Sequence, residues 1–125
     1  ILATPVSPEL LPPVNGVISQ KTEELLGAYE LHDFFLYHFM CGMRPRKIYC
    51  EACAKLDYPK EEIYRVLGIF LRRFFAQQYK RNCAPEAPLI CLSIGPWAFD
   101  MPSDIRGGAF LSEYEAIERS DPPRF

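Results

Sequence analysis

Arg73, Gln77, Lys80 and Arg81 recur at i, i+4, i+7 and i+8. On an α-helix that spacing lines four side chains along one stripe. Two guanidiniums, an ammonium and an amide form a strip of hydrogen-bond donors that suits a phosphate or carboxylate ligand. A plainer account competes with this one. Basic residues in the last turn of a helix complement the negative end of its dipole and remain in water. Spacing alone favours the plainer account. The aromatics beside the strip, Phe70, Phe74 and Phe75, read as core.

Other chemistries find less support. Cys50-x-x-Cys53 has the spacing of half a zinc site, but Cys41, Cys83 and Cys91 stand singly. A structural zinc site needs two more ligands, usually as a second close pair. Nor does a strand precede the motif, as a thioredoxin-like setting would require. Two half-buried thiols on one helix are expected instead. His32-Asp33 and His38 have no nucleophile placed to partner them, so packed or surface histidines are expected. Gly107-Gly108 follows no strand and precedes no Lys-Ser/Thr, so it is not a phosphate loop. No catalytic residue and no metal ligand is assigned.

The elements that must position the strip follow from periodicity and punctuation. Residues 1–20 are a loop region, with Pro5, Pro8, Pro12 and Pro13 excluding a continuous helix and Asn15-Gly16 marking a turn. Helices are expected across 21–82. The first is short, capped by Thr22 and stopped by Gly27. The second spans 30–41 and is apolar almost all round, through Leu31, Phe34, Phe35, Tyr37, Phe39 and Met40. Such a helix is buried or lies at an interface. The third runs over about 46–56, after Pro45 near its first position. A long fourth helix covers about 60–82, with Ile63, Val66, Leu67, Phe70 and Phe74 on one face. Four prolines in 83–102 predict an extended segment, with Leu89-Ile90-Cys91-Leu92 as one short strand. A terminal helix over 103–120 is capped by Ser103-Asp104 and weakened at Gly107-Gly108.

Composition bounds the rest. The chain has 125 residues, about half of them hydrophobic, which is enough for one domain with its own core. The formal net charge is −2, so bulk attraction to nucleic acid or a membrane surface is not expected. No apolar run approaches the roughly 18–20 residues that span a bilayer, and Ile1-Leu2-Ala3 lacks the charged start of a secretory signal. Five cysteines, an odd number without a regular framework, are expected as free thiols in a reducing cytoplasm. A start at Ile1 rather than Met is expected of a processed, truncated or excised piece.

Several short runs in a fixed order add a resemblance. They are Thr4 to Pro12, Gln20 to Glu23, Tyr29 to Tyr37, Pro45 to Ile48, Phe70 to Phe75, Gln78 to Arg81 and Met101 to Asp104. In these the chain resembles the C-terminal part of the synthetase domain of bacterial glutamine-dependent NAD synthetases. The resemblance implies a parent enzyme that adenylates deamido-NAD with ATP and magnesium. Ammonia from glutamine then displaces AMP to give NAD. It implies that Tyr79 and Lys80 contact deamido-NAD; Arg73 and Arg81, from the spacing of the strip, are expected as further phosphate contacts. It places Ser7 in a loop that covers ATP. The family's Ser-Gly-Gly-x-Asp-Ser loop and its glutaminase are absent from these 125 residues, so ATP and magnesium are expected to bind elsewhere in the parent. The chain departs from the family at Ala87-Pro88-Leu89, where Gly-Pro-Lys is usual, and at Ile94 to Asp100, which lacks the usual arginines.

The expected fold is mainly α, four to five helices with a proline-rich extended segment. By resemblance it packs on a Rossmann-like ATP-pyrophosphatase α/β domain. The expected role is to supply deamido-NAD and subunit contacts within a homo-oligomer, without activity of its own. Self-association is expected through the apolar helix over 30–41, which would lack its partner in a lone fragment. The alternative is a helical interaction or dimerisation module without catalytic chemistry.

Overall fold

The computed structural model describes residues 26–85, 92, 94 and 106–119. Among them are five helices: α1 (Tyr29–Met40), α2 (Pro45–Lys55), α3 (Lys60–Ala76), α4 (Gln78–Asn82) and α5 (Gly108–Arg119). No strand occurs among the described residues. Leu92 has no regular structure, and the rest of the expected Leu89–Leu92 strand lies outside the described residues. So do Thr22 and Ser103-Asp104, the expected caps, and most of the proline-rich segment.

α1 contains neither proline nor glycine and buries Leu31, Phe35 and Phe39 completely. Their fourfold spacing makes one stripe down the helix. The expectation of a helix short of a partner is modified here. α1 lies against α2 and α3 of its own chain, and Phe34, Leu36 and Met40 are partly buried beside its stripe. Tyr37 remains 56% exposed.

α2 opens with Pro45 at its first position, where the fixed φ suits a helix and the missing N–H costs no bond. Pro45, Ile48 and Ala52 are buried. Leu56 closes the helix, its N–H donating to the Ala52 carbonyl at 2.9 Å.

α3 is the central element and touches α1, α2, α4 and α5. Ile63, Val66, Leu67, Phe70, Leu71 and Phe74 are buried at the expected spacings of three and four. Glu61 and Glu62 in its first turn and Arg73 in its last suit the helix dipole. The single helix expected to Asn82 is broken at Gln77, whose φ of −104° and ψ of 20° leave the helical region. Arg81 gives a physical reason. Its guanidinium folds back and donates to the Phe74 carbonyl, one of the acceptors left open at the end of a helix. The Lys80 N–H then donates to the Gln77 carbonyl at 3.0 Å, a tighter turn that starts α4.

α5 starts at Gly108, after a turn at Arg106 and Gly107; the expected start at Ser103-Asp104 lies outside the described residues. The Phe110 and Leu111 N–H groups both donate to the Gly107 carbonyl, at 2.9 and 3.0 Å. Gly107 has a φ of +68°, and a Cβ there would collide with the Phe75 ring, 2.5 Å from its Cε2 and nearer still to its Cδ2. Glycine is therefore required twice, by conformation and by space. α5 sets Phe110, Tyr114 and Ile117 against α2 and α3.

The core is unusually aromatic, with Phe39 at its centre. Its ring meets those of Phe70, Phe74, Phe75 and Phe110 edge to face, at centroid separations of 5.9, 5.1, 6.0 and 5.1 Å. Edge-to-face pairs put the positive ring edge on the negative face of the neighbour. Residues from α1, α3 and α5 thus share one cluster, which holds the site described next.

Candidate functional site: a cationic cleft at the α3–α4 break

A cleft of about 230 Å³ opens where α3 gives way to α4. Leu26, Phe70 and Phe74 supply its apolar wall. Arg73, Gln77, Lys80 and Arg81, the four residues of the predicted strip, all line it. The helix break between them does not scatter the strip, because α4 resumes at once and keeps Lys80 and Arg81 beside Arg73. Among the described residues, no Asp or Glu lines the cleft. The charged side chains described in its wall are therefore all cationic.

The four side chains differ in how firmly they are held. The Arg81 guanidinium lies over the Phe74 ring, 3.9 Å from its centroid, while it donates to the Phe74 carbonyl. A cation over a ring face is attracted by the ring quadrupole. Arg81 is thereby fixed and half-buried. Arg73 and Lys80 are exposed, Gln77 half-exposed. One arginine is set in place, and the other donors are free to close on a ligand.

His32 joins the cleft from α1, which sequence reasoning did not anticipate. Its Nε2 lies 3.0 Å from the Leu26 carbonyl. A carbonyl only accepts, so Nε2 carries the proton in this bond. The bond ties the residue before Gly27 to the helix after it and sets Leu26 in the wall. The His32 ring also tilts against Phe70, at 6.2 Å. Nothing in local spacing signals this, because His32 and the strip lie on different helices.

Tyr79 does not line the cleft. It is 63% exposed, with the Lys80 ammonium 6.0 Å from its ring centre, at the outer limit of a cation–π contact. Ser7 lies outside the described residues.

Cys50 and Cys53 sit on α2, free and half-buried, as expected of packed thiols. Burial pushes the Cys53 thiol up from its ordinary pKa, and a hydrogen bond from Tyr49 partly opposes that. Burial, then the bond to Cys53, pushes the Tyr49 phenol up to about 12. A thiol held protonated is a poor nucleophile. Among the described residues, no group of three His, Cys, Asp or Glu side chains is placed to hold a metal ion. No described helix is long and apolar enough to cross a membrane. What the cleft offers is anion binding: donors at the mouth and an aromatic wall behind them.

No protein-family model matches the chain, and no solved structure matches it. A glutamine-dependent NAD(+) synthetase from Mycobacterium leprae (strain TN) does, at 33% identity over 147 aligned positions. The alignment takes in 98% of this chain but 21% of that protein, so the chain spans about a fifth of its relative's length. By sequence, therefore, nearly the whole of this chain is similar to one stretch of a glutamine-dependent NAD(+) synthetase.

Proposed function

We propose that this chain is the C-terminal part of the synthetase domain of a glutamine-dependent NAD synthetase, and that its cationic cleft binds deamido-NAD. The observation that carries the reading is a conjunction. Lys80, which the resemblance assigns to substrate, lies with Arg73, Gln77 and Arg81 in a cleft that has no Asp or Glu among its described lining residues. Lys80 acts as a mobile point charge toward a phosphate or carboxylate oxygen. Arg73 and Arg81 supply forked donors for the same anionic group. Tyr79 borders the site rather than forming its wall. The cleft admits one charged group with its immediate neighbours, not a whole dinucleotide. The remainder of the substrate lies against the rest of the parent, where the Rossmann-like ATP-pyrophosphatase sheet belongs.

In this reading the parent amidates deamido-NAD with ATP and ammonia from glutamine. ATP and magnesium bind outside this chain, with Ser7 covering the nucleotide, and the chain alone is inactive. It also contributes subunit contacts in a cytoplasmic homo-oligomer.

A second reading is a helical assembly module without ligand chemistry. The exposure of Tyr29 (37%) and Tyr37 (56%) on α1 favours it, since aromatics are enriched at interfaces. One experiment separates the two. In the full-length parent, Lys80→Ala is expected to raise KM for deamido-NAD about tenfold, the low end for a charge-assisted contact of ~1.5 kcal/mol. KM for ATP stays put. Steady-state kinetics that show no change in KM for deamido-NAD would refute the substrate role and leave assembly.

A further inference from the structure

A second cleft, of about 700 Å³, opens at the corner between α1 and α2. That volume lies within the roughly 300–1,000 Å³ typical of small-molecule sites. It shares no residue with the cleft at the α3–α4 break. The turn after α1 contributes Cys41, Met43 and Arg44, and α2 contributes Arg46, Lys47 and Cys50. Two carboxylates, Glu51 and Glu113, also line it.

Pairing decides which of these charges face a ligand. Arg44 and Glu113 are engaged with each other, Nε and Nη2 each 2.7 Å from Oε2. The Arg44 guanidinium also lies 4.7 Å from the centre of the Phe110 ring, so it is held against α5. Glu51 is 2.7 Å from the Lys55 ammonium, one turn further along α2. Arg46 and Lys47 remain. Both are exposed, and no carboxylate among the described residues forms an ion pair with either. They stand in a first turn that holds no acidic residue. Positive charge at that end of a helix opposes the dipole, and an anion in the cleft relieves the opposition.

We propose that this corner cleft binds a phosphate-bearing small molecule, with Arg46 and Lys47 as its charged contacts. An arginine fork and a lysine point charge are complementary donors for phosphate oxygens. Met43 gives an adaptable apolar surface for whatever carries the phosphate. The proposal does not depend on the NAD synthetase reading, because it rests on other residues and another cleft.

The two thiols in the cleft wall make the test direct. Cys41 and Cys50 line the cleft, whereas the exposed Cys83 lies beyond α4 and lines neither cleft. Alkylation of each cysteine by iodoacetamide would be followed by peptide mass spectrometry on the full chain. Pyrophosphate and a nucleoside diphosphate serve as separate probes, with chloride holding ionic strength constant. A probe at ~10 times its Kd leaves about a tenth of the clefts open, so Cys41 and Cys50 should alkylate about tenfold more slowly. Cys83 should not change. Protection by pyrophosphate identifies the phosphate group as sufficient, and protection by the diphosphate alone identifies a nucleotide. Arg46→Ala with Lys47→Ala should abolish protection, while Lys80→Ala should leave it intact. Equal rates with and without both probes overturn the proposal. So does protection that survives the double substitution, or slowing that extends to Cys83.

Discussion

The Tyr49 phenol is the residue whose chemistry the fold changes most clearly. It packs edge to face on Tyr64, 6.2 Å between centroids, and bonds to Cys53. Burial raises its pKa from 10.0 to about 12. The folded chain therefore holds this proton more tightly than the unfolded chain does. The corresponding stability is fully present below pH 10 and is lost as pH rises from 10 toward 12. In a phenolate absorbance titration, one tyrosine should titrate late, and Tyr49→Phe should remove that late component. A wild-type curve that superimposes on the variant's, apart from amplitude, would contradict the assignment. At this scale the sequence was legible for the strip, because i, i+4, i+7 and i+8 survive as neighbours in the cleft. It was illegible for His32 and for Tyr49. Their surroundings come from other helices or from burial, and neither has a local signature.

At the scale of the elements, the contact between α3 and α5 turns on one missing side chain. A Cβ on Gly68 would stand 2.6 Å from Cζ of Tyr114. That closeness lets Tyr114 stack on Tyr64 at 4.4 Å and donate to the Tyr64 carbonyl at 3.2 Å. The Arg72 guanidinium lies 5.5 Å from the Tyr114 ring centre. Gly68→Ala is expected to destabilise the fold by about 1–3 kcal/mol through overpacking, although alanine is the better helix former. Chemical denaturation measures this. Combined with Tyr114→Leu, the two losses should be less than additive, since the second change removes the clash. Full additivity would show that the close approach is not the cause. Helix positions were readable to within about one residue for α1 and α2, because apolar period and Pro/Gly punctuation are local signals. The break at Gln77 was not readable. Arg81 competes for the Phe74 carbonyl through a side chain seven residues away.

For the molecule as a whole, Phe39 joins α1, α3 and α5 in one aromatic cluster. Phe39→Ala should cost about 3–5 kcal/mol, a large part of the stability of a domain this size. Thermal unfolding should show a much lowered Tm or no cooperative transition. A Tm within a few degrees of wild type would mean that the cluster is not the core. The effect should also reach the cleft at the α3–α4 break, because Phe39 packs on Phe70 and Phe74, which form its wall. By itself the sequence determined the helical class, the main buried faces and the basic strip. Each of these depends on periodicities of three and four residues within one element. Tertiary structure alone decided which helix α1 would lean on. It also decided that His32 would meet the strip, that α5 would begin at Gly108, and that Arg44 would be spent on Glu113 while Arg46 and Lys47 were not. Those outcomes depend on side chains brought together from distant positions, where packing and charge pairing act between elements and leave no trace in local spacing.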